Sequence, residues 1–153
     1  MNLTRLLICL VLACFSLGAH AEEPYTPKAG SNERKEICDG LRAFLVQEYA
    51  EKKLPKAIVL KIEHLKVLGD YCFVECSPQF EDGTDAIPEF LPDIGYTHCL
   101  KKIHVGWHVI IDLSRTDVPD PKERAQLKKS FPGDFPWELL SPGWKEIFAG
   151  KYD

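Results

Sequence analysis

Cys72-x-x-x-Cys76 and His104-x-x-x-His108 are the spacings in this chain that could present paired ligands to a metal ion, with Cys38, Cys99, His64 and His98 elsewhere. Both pairs fall in stretches of alternating apolar and polar residues. That places them on strands or a turn, not in a zinc knuckle or on one helix face. His98 and Cys99 are adjacent, so a strand points them to opposite faces, and they can share neither a metal nor a Cys-His catalytic pair. No metal and no cofactor are expected. Disulfide bonding is the first reading of the thiols, with free thiols as the alternative.

Acid–base chemistry is the second candidate. Glu81, Asp82, Asp85 and Glu89 crowd one stretch, but a glycosidase needs two carboxyls set across a cleft, and Asp82-Gly83-Thr84-Asp85 lacks the ligand rhythm of a calcium loop. A solvated loop is the simpler reading, because acidic residues are normally exposed. His64, Asp70, Glu75 and His98 are the general acid–base candidates for a small hydrolase or isomerase working in a pocket between helix and sheet. The chain has no Gly-x-Ser-x-Gly elbow, no His-Glu-x-x-His, no phosphate-cradling glycine loop and no Ser-x-x-Lys. No catalytic residue is assigned.

The elements that must position these residues follow from periodicity. Ser31 or Asn32 caps a helix on which Ile37, Leu41, Phe44, Leu45 and Tyr49 recur at helical spacing, with a stop expected near Lys52 to Pro55. Alternation from Ala57 to Leu68, a Gly69-Asp70 turn and a return from Tyr71 to Ser77 predict one hairpin. Tyr96 to His104, a Val105-Gly106 turn and Trp107 to Leu113 predict a second. Asp120-Pro121-Lys122-Glu123 is a capping-box signature that opens a short polar helix. Pro136 to Leu140 and Pro142 to Phe148 read as two helical turns carrying Trp137, Leu139, Leu140, Trp144, Ile147 and Phe148. The expected fold is α+β, an N-terminal helix packed on a curved antiparallel sheet of about four strands.

Arg5, an apolar run from Leu6 to Leu17 and the small-x-small exit Ala19-His20-Ala21 describe a secretory signal cleaved after Ala21. A lipid anchor on Cys14, after Val11-Leu12-Ala13, is the weaker alternative, since Leu12 fits that box poorly. Expected divisions are a signal over 1–21, a flexible leader over 22–30, the α+β domain over 31–118 and an aromatic extension over 119–153. Periplasmic or secreted placement favours disulfides. Cys72 and Cys76 lie about 13 Å apart on one strand face, so they cannot bond each other. The reading is Cys38 with one of them and Cys99 with the other. The formal charge of −4, and the absence of any basic cluster beyond two adjacent residues, argue against nucleic acid. The apolar run is too short for a membrane span.

Gly30-Ser31-x-x-Arg34-Lys35-x-Ile37-x-Asp39-x-Leu41-Arg42, then Leu65-x-Val67-x-Gly69-Asp70-Tyr71-x-Phe73-Val74, Leu100-Lys101-Lys102 and Gly106-Trp107-x-Val109 resemble a widespread group of small secreted bacterial proteins. The resemblance covers roughly residues 30 to 118. It implies a helix cradled by a curved antiparallel sheet, cystatin-like or nuclear-transport-factor-2-like in shape, and brings no catalytic residues with it. The cysteines and the aromatic extension lie outside the shared pattern. Trp137, Trp144 and Phe148 are expected to dock on the domain, with a partner-facing patch as the other outcome. A binding role toward a protein, as an inhibitor or immunity-type factor, is the functional expectation. The acidic surface, including Glu81, Asp82, Asp85 and Glu89, suits a basic partner.

Overall fold

The computed structural model describes residues 22–49, 58–86, 96–114 and 118–152. Helix α1 spans Asn32–Glu48, with the Ser31 hydroxyl accepting from the Arg34 backbone N–H at 3.2 Å. Ile37, Leu41 and Leu45, spaced by four, are its buried stripe. The helix stops ahead of the expected Lys52–Pro55 boundary, because Tyr49 leaves helical geometry and turns into the core. Strands β1 (Val59–Leu68), β2 (Tyr71–Gln79), β3 (Tyr96–Ile103) and β4 (Gly106–Asp112) form one antiparallel sheet in the order β1-β2-β3-β4. The α+β class is as expected.

Both edge strands carry one extra residue. Ile62 pairs with Cys76 and His64 with Glu75, leaving Glu63 as a bulge in β1; Val109 and Ile111 oppose Leu100 and Cys99, leaving Ile110 as a bulge in β4. Each bulge shifts the alternation by one residue, so Leu60, Leu65 and Val67 all reach the same core. The second hairpin turns at His104-Val105, one residue earlier than expected, because Ile103 pairs with Gly106. Gly106 takes φ +122, where a side chain would strain the backbone.

The sheet is buried on both faces. On one, Cys72, Val74, Cys76, Leu100 and Trp107 pack under α1. On the other, Tyr71, Phe73, Cys99, Ile111 and Leu113 are covered by the C-terminal extension. That extension is helix α2 (Pro121–Ser130), a 3-10 turn (Trp137–Leu139) and helix α3 (Pro142–Ala149). Asp120 completes the expected capping box of α2, and Gly150 in a left-handed conformation closes α3. Four polar contacts staple the extension to the strands. Tyr71 donates to Asp134 at 2.6 Å, Ser141 donates to Glu75 at 2.5 Å, the Trp144 indole donates to Thr97 at 3.4 Å, and His64 Nε2 meets the Leu139 carbonyl at 3.0 Å.

The leader is not loose. Tyr25 exchanges both backbone hydrogen bonds with Val67, Thr26 donates to the Leu65 carbonyl, and Arg34 donates to the Pro27 carbonyl. Residues 22–30, expected to be flexible, therefore include a strand-like pairing along the β1 edge, because that edge offers unpaired backbone groups.

Trp144 is 1% exposed, whereas Trp137 is 38% exposed and lies against Phe131, Phe135 and Phe148. Trp144→Ala is expected to cost about 3–5 kcal/mol and Trp137→Ala about 1 kcal/mol, read from urea unfolding midpoints. Equal costs would mean that the extension is not built around Trp144.

Candidate functional site

The acid–base candidates do not converge. His64 and Glu75 are cross-strand neighbours on the face covered by the extension, but each is bonded to the segment above it, His64 to Leu139 and Glu75 to Ser141. The His64 ring also stacks edge-on to Phe73, with centroids 5.8 Å apart. Asp70 sits exposed in the first hairpin turn, where its carbonyl accepts from the Lys102 backbone N–H. His98 lies on the opposite face, under α1. The centre of the space between helix and sheet is filled by Ile37, Leu41, Leu45, Val74 and Leu100, so the space left open there lies at its margin.

His98 belongs to a buried polar network that periodicity does not reveal. Its Nε2 is 3.4 Å from Asp112 Oδ1 and 3.3 Å from Ser114 Oγ, while Ser114 Oγ accepts from the Thr97 backbone N–H at 3.2 Å. The three residue types are those of a hydrolytic triad, but the wiring is different. A relay sets the carboxylate and the serine on opposite ring nitrogens. Here both meet Nε2, and Nδ1 is buried with no hydrogen-bond partner among the described residues. A proton on Nε2 serves the Asp112 carboxylate and leaves the ring unable to take the Ser114 proton. With His98 and Ser114 both almost fully enclosed, the network is structural. Burial pushes the His98 imidazole down to about 4, against the upward pull of Asp112.

The four cysteines among the described residues are separate thiols, which corrects the expectation of two disulfides. Register explains half of the error: Cys99 pairs with Phe73 across β2 and β3, so it points to the face away from Cys72 and Cys76 and can bond neither. Cys38 is half-buried beside the first core. Burial raises all four thiols; for Cys38 the nearby Arg42 and Arg34 pull the other way. Thiols held protonated are poor nucleophiles.

Of the acidic stretch, Glu81 and Asp82 are exposed on a turn, and Asp85, also exposed, pairs with Gln79 in an isolated antiparallel bridge. Asp82 accepts from the Thr84 hydroxyl and backbone N–H, which hold its carboxyl below the usual range. Glu89 lies outside the described residues. Among the described residues, no group of three or more His, Cys, Asp or Glu could hold a metal ion, and no helix is long and apolar enough to cross a membrane. Of the aromatic candidates, Trp144 and Phe148 belong to the second core, and only Trp137 shows a substantial face to solvent.

The geometry instead offers a groove between α1 and the start of β4. Glu36, Asp39, Gly40, Ala43, Phe44 and Gln47 form its helical wall, and residues 105–109 form the other, enclosing about 530 Å³. Gly40 makes the approach possible, since a Cβ there would stand 2.1 Å from the Trp107 carbonyl oxygen. Phe44 lies edge-on to His98, with centroids 5.4 Å apart, so the groove floor rests on the buried network. Val105 is 80% exposed at the mouth. These residues were not singled out as a site from the sequence. The Gly40-x-x-Ala43 pair of small residues facing a strand is the signal that could have marked them. Compared with protein-family models, curated proteins and solved structures, the chain matches none.

Two outcomes follow. Alkylation of the native protein should modify Cys38 before Cys72, Cys76 and Cys99, which should react only in denaturant; a bridged pair among these four would leave just two of them reactive. Because His98 is neutral in the fold and its unfolded pKa is near 6.5, its contribution is intact above pH 6.5. It is lost as pH falls toward 4, at about 1.4 kcal/mol per pH unit. Urea midpoints of wild type and His98→Gln should therefore fall with different slopes over that window, the variant's being shallower. Parallel slopes would reject the neutral imidazole.

Proposed function

We propose that this chain is an exported, non-enzymatic binding protein of the inhibitor or immunity-factor kind, which takes a segment of a protein partner into the groove between α1 and β4. The groove carries this reading. Its floor and lip are apolar at Ala43, Phe44, Val105 and Val109, and it lies alongside the helix. An enclosed pocket that buries most of a small molecule is the usual design for a small ligand. The titratable residues that could serve catalysis support the same reading, since His64, Glu75 and His98 are occupied in holding the fold together. The signal-like start favours a partner met outside the cytoplasm.

Affinity capture with the tagged chain from periplasmic extract tests the proposal. Ala43→Arg places a charged chain in the groove from an exposed helical position, and Trp137→Ala alters the opposite face of the molecule. A partner lost by Ala43→Arg and kept by Trp137→Ala is the expected result. A partner kept by Ala43→Arg and lost by Trp137→Ala would move the binding surface to the extension and overturn the reading.

A further inference from the structure

The groove's charges point to the chemistry of what fills it. Its lining holds two carboxylates, Glu36 and Asp39, and no Lys or Arg. The two differ. Asp39 is bonded to Lys35 and, at 2.8 Å, to Arg42, and these cations hold its carboxyl below the usual range. Glu36, one helical turn earlier and exposed, meets no cation among the described residues. It therefore lines the groove as a carboxylate with no counter-charge among the described residues, on a chain whose formal charge is −4.

Resting on the groove reading above, we infer that the occupant is an extended cationic segment of a protein, with one Lys or Arg held by Glu36 and an aliphatic side chain on Ala43, Phe44 and Val109. Alternation in such a segment directs one side chain to the apolar floor and its neighbour to the charged rim. The acidic chain also steers a cationic partner toward contact, an effect that weakens as salt rises. An acidic segment would meet Glu36 and Asp39 with like charge and no compensating Lys or Arg in the lining.

A fluorescein-labelled peptide alternating Arg and Leu, compared with the same peptide carrying Glu in place of Arg, provides the test by fluorescence anisotropy on the full chain. The Arg-Leu peptide should bind and the Glu-Leu peptide should not, with affinity falling as salt is raised. Glu36→Gln should weaken binding about five-fold, the upper range for an exposed ion pair. Ala43→Arg should abolish it, and Glu138→Gln, in the extension on the other face of the sheet, should leave it unchanged. Glu36 and Ala43 are exposed, so both variants should keep the wild-type unfolding midpoint.

Equal binding of the two peptides, or indifference to Glu36→Gln, overturns the cationic occupant. A captured partner that Ala43→Arg releases but Glu36→Gln and salt do not would leave the groove reading standing and reject this inference alone. A dimer by sedimentation that Ala43→Arg dissolves would place a second copy there and reject it as well.

Discussion

The structure depends on β2 being buried on both sides. Strand geometry sends successive side chains to opposite faces, and β2 meets that constraint with Tyr71 and Phe73 on one face and Cys72, Val74 and Cys76 on the other. Two apolar faces require two covers. Helix α1 supplies the first and the C-terminal extension the second. Polar groups entering either layer must be satisfied inside it, which is why Glu75, Thr97 and His64 each find a partner on the segment that covers them.

This arrangement also decides where chemistry can occur. His64, Glu75, His98, Cys72, Cys76 and Cys99 fall on the inner faces of the sheet, where burial and bonding lower their reactivity. His98, Asp112 and Ser114 gather at one point, yet their wiring favours holding β3 to the end of β4 over activating a hydroxyl. The accessible relief lies at the β4 margin, where Gly40 lets α1 approach the strand and the neighbouring side chains stand apart. The groove proposed for recognition thus lies at a margin of the fold, and the centre of the fold is left to packing.

Much of the fold was legible in the sequence. The Ser31 cap, the 37/41/45 stripe, the Gly69-Asp70 turn and the Asp120–Glu123 box are local signals, and local signals survive folding. The bulge between Ile62 and His64 was not among them, because the alternation was read as continuous from Ala57 to Leu68. The direction of Cys99 was not, because it depends on how β3 is registered against Phe73, a long-range fact. Ser114 and Asp112 reached His98 for the same reason: the bulge at Ile110 sets which residues of β4 face α1. The second cover over the sheet was visible only as a run of aromatics whose docking face no periodicity specifies. The groove was hidden because its walls are ordinary helix and strand residues, and only their closeness at Gly40 makes a site.

The position of the second cover along the chain has a consequence for assembly. Phe73, Cys99 and Ile111 leave the ribosome before the residues that shield them, Leu139 to Phe148. Until those arrive, a nascent sheet presents one finished side and one bare apolar side, the kind of surface that invites intermolecular association. Arrival of that cover, more than formation of either hairpin, then becomes the event that commits the molecule to its native state, and holding the uncovered polypeptide apart from its neighbours becomes a requirement of its synthesis.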